Sequence, residues 1–201
     1  MEALLPMFGF IFAATITPGP NNFMVMISGA NWGLARTLPH IAGITFGFPA
    51  MILAVGLGLD VVFEAVPQLR TVLKYVAFAY LLWLSWRIAI AGRPEIGSRR
   101  TGGPQARPMT FVEAVAFQWV NPKAWSVVLS GVTLFTAESD GKLVVIAAMA
   151  TVGGLVCVPN GIAWTLFGTA ISRLLSDDKR LRWFNISMAV LLVVSVLPTL
   201  L

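Results

Sequence analysis

Charge is what this sequence has least of. Only 11% of its 201 residues are Asp, Glu, Lys or Arg, whereas 57% are hydrophobic. A soluble domain carries roughly a quarter charged residues, so a water-soluble globule is excluded. Cysteine and histidine occur once each, as Cys157 and His40. A single cysteine rules out an intrachain disulfide and any C-x-x-C redox motif. No His, Cys or carboxylate cluster stands in or beside the apolar runs, so no metal site and no nucleophile–base pair can be drawn. The sequence therefore predicts no cofactor and no enzyme. It also lacks a basic leader. Met1-Glu2 leads straight into apolar residues, and the first segment is expected to stay in the mature protein.

What fills the chain is apolar sequence, with a mean hydropathy of +0.82. Spanning a bilayer takes about 20 such residues. Six runs reach that length: residues 3–27, 37–59, 72–91, 109–135, 143–171 and 183–201. The fold class expected is an all-α integral membrane protein of six transmembrane helices, forming one polytopic unit over residues 1–201. The third run is the tightest, since Lys74 and Arg87 must snorkel to opposite interfaces. The fifth is longer than needed, which suggests tilt or a kink at Pro159-Asn160-Gly161. Residues 92–108 hold Pro94, Gly97, Gly102, Gly103, Pro104 and Pro108. They read as a flexible linker between halves 1–91 and 109–201.

The net charge of +5 does not signal nucleic acid. Its carriers sit in short loops. Ten Lys and Arg flank the connections after the first, third and fifth runs, against three on the opposite side. The positive-inside rule puts the ten in the cytoplasm and both termini outside.

Within the first run stands Thr17-Pro18-Gly19-Pro20-Asn21-Asn22. Two prolines and a glycine cannot continue a regular helix. They free backbone groups, which hydrocarbon tolerates only where protein buries them or where they line a wet cavity. The fourth run carries Asn121-Pro122-Lys123, and Pro122 lies 102 residues after Pro20, about half the chain. Three runs per half would make any repeat inverted across the membrane. Paired interruptions at corresponding places in two halves point to a transporter binding site. The expected architecture is thus two inverted three-helix repeats with helices 1 and 4 broken. A half-helix N-terminus suits a substrate carboxylate, and freed carbonyls suit an ammonium. The alternative is that each proline only kinks its helix.

These residues resemble the LysE/RhtB family of small amino-acid exporters. The likeness rests on Thr17 to Asn22, Gly43 and Gly47, the stretch Ala79-Tyr80-Leu81-Leu82-Trp83-Leu84, and Asn121-Pro122-Lys123-Ala124. The run Phe117-Gln118-Trp119-Val120-Asn121, with the doubled asparagine, looks most like the cysteine and O-acetylserine exporter subgroup. The resemblance implies an antiporter of the bacterial inner membrane. It would export a small amino acid of the cysteine/O-acetylserine or threonine/homoserine kind, with protons as coupling ion. Its sixth span often has small residues where this chain reads Asn185-Ile186-Ser187-Met188-Ala189.

The candidate transport residues are Pro18, Gly19, Pro20, Asn21, Asn22, Gln118, Asn121, Pro122 and Lys123. Lys123 is an ionisable group deep in an apolar run, costly unless used. It either serves the substrate or snorkels. The three asparagines either touch substrate or cap the broken helices. Gln118 stands one turn before Asn121. Glu113 lies ten residues before Lys123, about 15 Å along a straight helix, too far to pair. His40 can titrate near neutrality, but its place at the edge of a run reads as interfacial and non-functional. Gly43 and Gly47 permit close helix approach, within the bundle or in a homodimer. A thiol carrier would need two exchanging cysteines, and a metal-ion exporter clustered ligands. Both remain alternatives on a related scaffold.

Overall fold

The computed structural model describes residues 4–59, 65–90, 107–137, 139–172, 177–195 and 197. Helix α1 covers Leu4–Ile16. Helix α2 covers Pro20–Ala54 and runs into a π turn at Val55–Leu59. Then come α3 (Pro67–Ala89), α4 (Phe111–Gln118), α5 (Pro122–Thr136), α6 (Lys142–Ser172) and α7 (Asp178–Val194). All the regular structure among the described residues is helical. The linker expected at 92–108 lies almost wholly outside those residues, as do Arg93, Arg99, Arg100 and Arg173.

Three stretches are long and apolar enough to cross a membrane unaided: Pro20–Leu59, Thr71–Ala89 and Lys142–Ser172. Leu4–Ile16 and Arg182–Ser195 are apolar but shorter. The first and fourth runs are each two helices, because the chain breaks where the prolines stand. Exposed apolar side chains ring the molecule, among them Leu57, Val112, Val144 and Leu155. An apolar outer surface this extensive belongs against lipid rather than water.

The first two runs meet differently from the expected loop between residues 27 and 37. Helical structure continues throughout, interrupted at Gly33 alone (φ 75°, ψ 176°). Positive φ is cheap only without a Cβ, so glycine permits this sharp turn in a single residue. The polar residues around it pair with each other. Ser28 and Thr37 share a hydroxyl hydrogen bond of 2.7 Å across the break, and Thr37 also donates to the Gly33 carbonyl at 2.9 Å.

Two apolar clusters fill the interior. One joins Met7 and Ile11 of α1, Ile41 to Ile52 of α2, Val128 and Val132 of α5, and Met149 and Val156 of α6. The other joins Phe23, Met24, Met26 and Ile27 of α2 with Leu81, Leu84 and Ile88 of α3, Phe117 of α4 and Leu192 of α7. Helices α2 and α6 cross closely. A Cβ on Gly29 would overlap the Thr165 carbonyl, and one on Gly168 would overlap that of Met26. Gly43 and Gly47 face α4 of the same chain, where a Cβ would meet Phe111 O at 2.5 Å and Gln118 Cγ at 2.8 Å. The result brings α1, α2, α4, α5 and α6 around both proline breaks.

Candidate functional site

Helix α1 ends at Ile16 and α2 begins at Pro20, with Gly19 fully extended between them (φ −175°, ψ 178°). The last four carbonyls of a helix lack intrahelical partners, and a partner must be found for each one buried. Asn22 donates from Nδ2 to the Thr15 and Thr17 carbonyls at 2.7 and 2.8 Å. Asn160 of α6 donates to Thr15 O at 3.1 Å. Lys123 reaches over from the second break. Its Nζ donates to Thr17 O at 2.6 Å, Thr17 Oγ1 at 2.8 Å and Pro18 O at 3.2 Å. Three ammonium protons thus meet three acceptors at the negative end of a helix dipole. The Lys123 stem lies over Gly19, where a Cβ would stand 2.5 Å from Cδ.

The second break forms the same way. Helix α4 ends at Gln118, and Asn121 caps α5, its Oδ1 accepting from Lys123 N at 3.1 Å. Pro122 takes the first helical position, where its missing N–H costs nothing. Gln118 and Asn21 hold the two breaks together. Asn21 Nδ2 donates to Gln118 Oε1 at 2.8 Å, and Gln118 Nε2 donates to Asn21 Oδ1 at 3.3 Å. Gln118 Nε2 also donates to Ala114 O at 2.9 Å.

All nine candidate residues therefore stand at one locus, and several of their contacts differ from the expected ones. The carbonyls freed at Thr15, Thr17 and Pro18 are not available to a substrate ammonium in this conformation. Asn22, Asn160 and Lys123 already occupy them. Asn121 acts as a cap, and the Lys123 ammonium is bonded to the first break rather than free.

A cavity of about 50 Å³ opens between the breaks. That is room for roughly three to five waters. Asn21, Asn22, Asn121 and Lys123 are polar residues of its lining; Val25, Ile44, Phe48 and Cys157 are apolar ones. The N-termini of α2 and α5 both reach it, and the first N–H groups of a helix have no internal partner. Asn160 of α6 also lines the cavity, next to Asn22. Its Nδ2 is bonded to Thr15 O and to Asn22 Oδ1 at 3.1 Å, while its Oδ1 is buried with no partner. In the sequence Asn160 is accounted for by the kink at Pro159-Asn160-Gly161 and is not among the candidate transport residues. An amide in the middle of a long apolar run was the signal for it.

His40 is enclosed by protein rather than standing on the outer surface. It is 1% exposed on α2, against a second cavity. Glu113 keeps its expected separation from Lys123. It forms a capping box with Thr110 and pairs with Arg107 at 2.6 Å. No group of three His, Cys, Asp or Glu able to hold a metal stands among the described residues.

Comparison with known proteins gives a consistent answer. The family model of the LysE type translocator matches residues 12–197. The cysteine/O-acetylserine efflux protein of Klebsiella pneumoniae is 30% identical over 196 residues, covering 93% of each chain. Its counterpart in Escherichia coli K12 is 28% identical over 188 residues, covering 92% of this chain and 90% of that one. No solved structure matches.

Proposed function

The chain belongs to the LysE translocator family, and from that premise we propose that it exports a small amino acid from the cytoplasm by way of the cavity between the two breaks. The observation that carries this reading is the convergence there of two half-helix N-termini, with Asn160 and its buried, unpartnered amide oxygen in the cavity wall. The N-termini of α2 and α5 supply N–H donors and the positive ends of two dipoles, which suit a carboxylate. Asn160 Oδ1 suits an ammonium group. The wall of Val25, Phe48 and Cys157 takes a short side chain. A cavity this small favours an amino acid at the small end of the range, in keeping with the cysteine/O-acetylserine efflux relatives.

In this reading the two halves are inverted repeats, and the α1/α2 and α4/α5 breaks are equivalent elements related across the membrane plane. The basic connections face the cytoplasm of a bacterial inner membrane and both termini lie outside. Protons entering down their gradient drive the amino acid out. Lys123 contributes by closing the carbonyl end of the first break, so that the N-terminal end of α2 stays aimed at the cavity. Transport would proceed as the two breaks part and rejoin, with the Asn21–Gln118 and Lys123–Thr17 contacts as the bonds exchanged.

The test is efflux of labelled O-acetylserine and cysteine from liposomes carrying wild-type or Asn160→Ala protein. Asn160→Ala is expected to weaken half-saturation about tenfold or more, as lost polar recognition does. An unchanged half-saturation would remove Asn160 from the site.

A further inference from the structure

We infer that the second cavity is the proton-loading chamber of this transporter and that His40 is the group that carries the proton, an inference resting on the proton-driven export proposed above. The cavity measures about 570 Å³, ample for a chain of waters. It is bounded by His40, Tyr80, Trp83, Arg87, Arg107 and Glu113. His40 is 1% exposed, and neither ring nitrogen has a hydrogen-bond partner. A buried imidazole with both nitrogens unused calls for an explanation; the nitrogens are closed off from the neighbouring polar chamber in this conformation, and a turn of the ring would bring one of them to its water.

The competing ionisable groups are otherwise engaged. Lys123 spends its three protons on Thr17 and Pro18. Glu113 is tied to Arg107 and to the Thr110 N–H. Arg87 lies over the Trp83 ring at 4.7 Å and does not lose its proton in a protein. Cys157 lines the other cavity. Among the described residues, His40 and Cys157 are the ionisable side chains fully buried. Intramembrane histidines of this kind serve proton relays.

The charged groups facing His40 are Glu113 and Arg107 from the α4 side and Arg87 from α3, with the titratable Tyr80 also on α3. Glu113 lies within electrostatic reach of the ring. Its exposed pair with Arg107 marks the mouth of the chamber. The step balances simply: one proton joins an imidazole nitrogen and later leaves to cavity water. Two elements link this end to the amino-acid site. His40 precedes Ile44, a wall of the small cavity, by one turn of α2. Glu113 precedes Gln118, the partner of Asn21, on α4.

Because the chain has one histidine, a [15N]histidine label read by NMR reports His40 alone, provided the purification tag contains none. Titrating the wild-type protein from about pH 3 to pH 9 should show one protonation step, moved when O-acetylserine is added. In liposomes, His40→Gln should lower the ratio of ΔpH-driven efflux to substrate-for-substrate exchange about tenfold. A ring that does not titrate overturns the inference, whether or not the variant folds. So does a folded variant with an unchanged ratio, including one in which both rates fall together. If wild-type protein exchanges substrate but ignores ΔpH, the proton drive itself fails. If it moves no amino acid, the export reading fails.

Discussion

Replacing Lys123 by Met keeps most of the stem and deletes the ammonium that joins the two breaks. Three hydrogen bonds go with it. Their loss is unequal. Thr17 O keeps the amide of Asn22, whereas Pro18 O loses the donor that reaches it. Leaving one carbonyl unsatisfied costs about 1–3 kcal/mol. Solvent reaches this part of the break, so the lower half of that range is expected, a factor of roughly 5 to 30 in the local equilibrium. The assay is thermal denaturation in detergent of K123M, T17A and the double variant. Because Thr17 Oγ1 is itself a Lys123 partner, the two substitutions should be coupled by about 0.5–1.5 kcal/mol. Gly19→Ala should reproduce K123M, since its Cβ would displace the lysine stem. Membrane insertion should survive in all of them while export is lost in K123M. Full stability of K123M with strictly additive effects would refute the link between the breaks.

Three further outcomes are expected. Asn22→Ala removes donors from Thr15 O and Thr17 O and an acceptor from Asn160, so its cost should shrink in an Asn160→Ala background when denaturation midpoints are compared. Gly29→Ala puts a methyl group into the Thr165 carbonyl and should destabilise by about 1–3 kcal/mol or more, read as a lower midpoint and lower yield of folded protein. Gln118→Ala strips Asn21 of its reciprocal partner; we expect slower efflux with insertion intact, measured as initial rates from loaded liposomes.

Both breaks could be read in the sequence because proline and glycine chemistry forbids a continuous helix there whatever the tertiary setting. Their polar residues were legible as a group for the same reason. Partners were not. Nothing local to Lys123 says that its ammonium reaches Thr17, 106 residues away. That contact depends on how α5 is set against α1. Asn160 was hidden beside Pro159, where a kink explained the local sequence well enough. The burial of His40 was hidden for a different reason. Arg36 and the start of the second run mark a membrane edge, and nothing local says that neighbouring helices also enclose position 40 there. The Gly29–Gly168 crossing was likewise invisible, since glycine spacing along one helix does not name the helix that meets it.

The central claim is that this chain moves a small amino acid. Liposomes carrying the purified protein, loaded in turn with labelled cysteine, O-acetylserine, threonine, homoserine and lysine, test it directly. The account predicts protein-dependent efflux of one or more of the small neutral substrates, driven by a proton gradient and collapsed by an uncoupler. Absence of protein-dependent efflux for every amino acid in the set would contradict it.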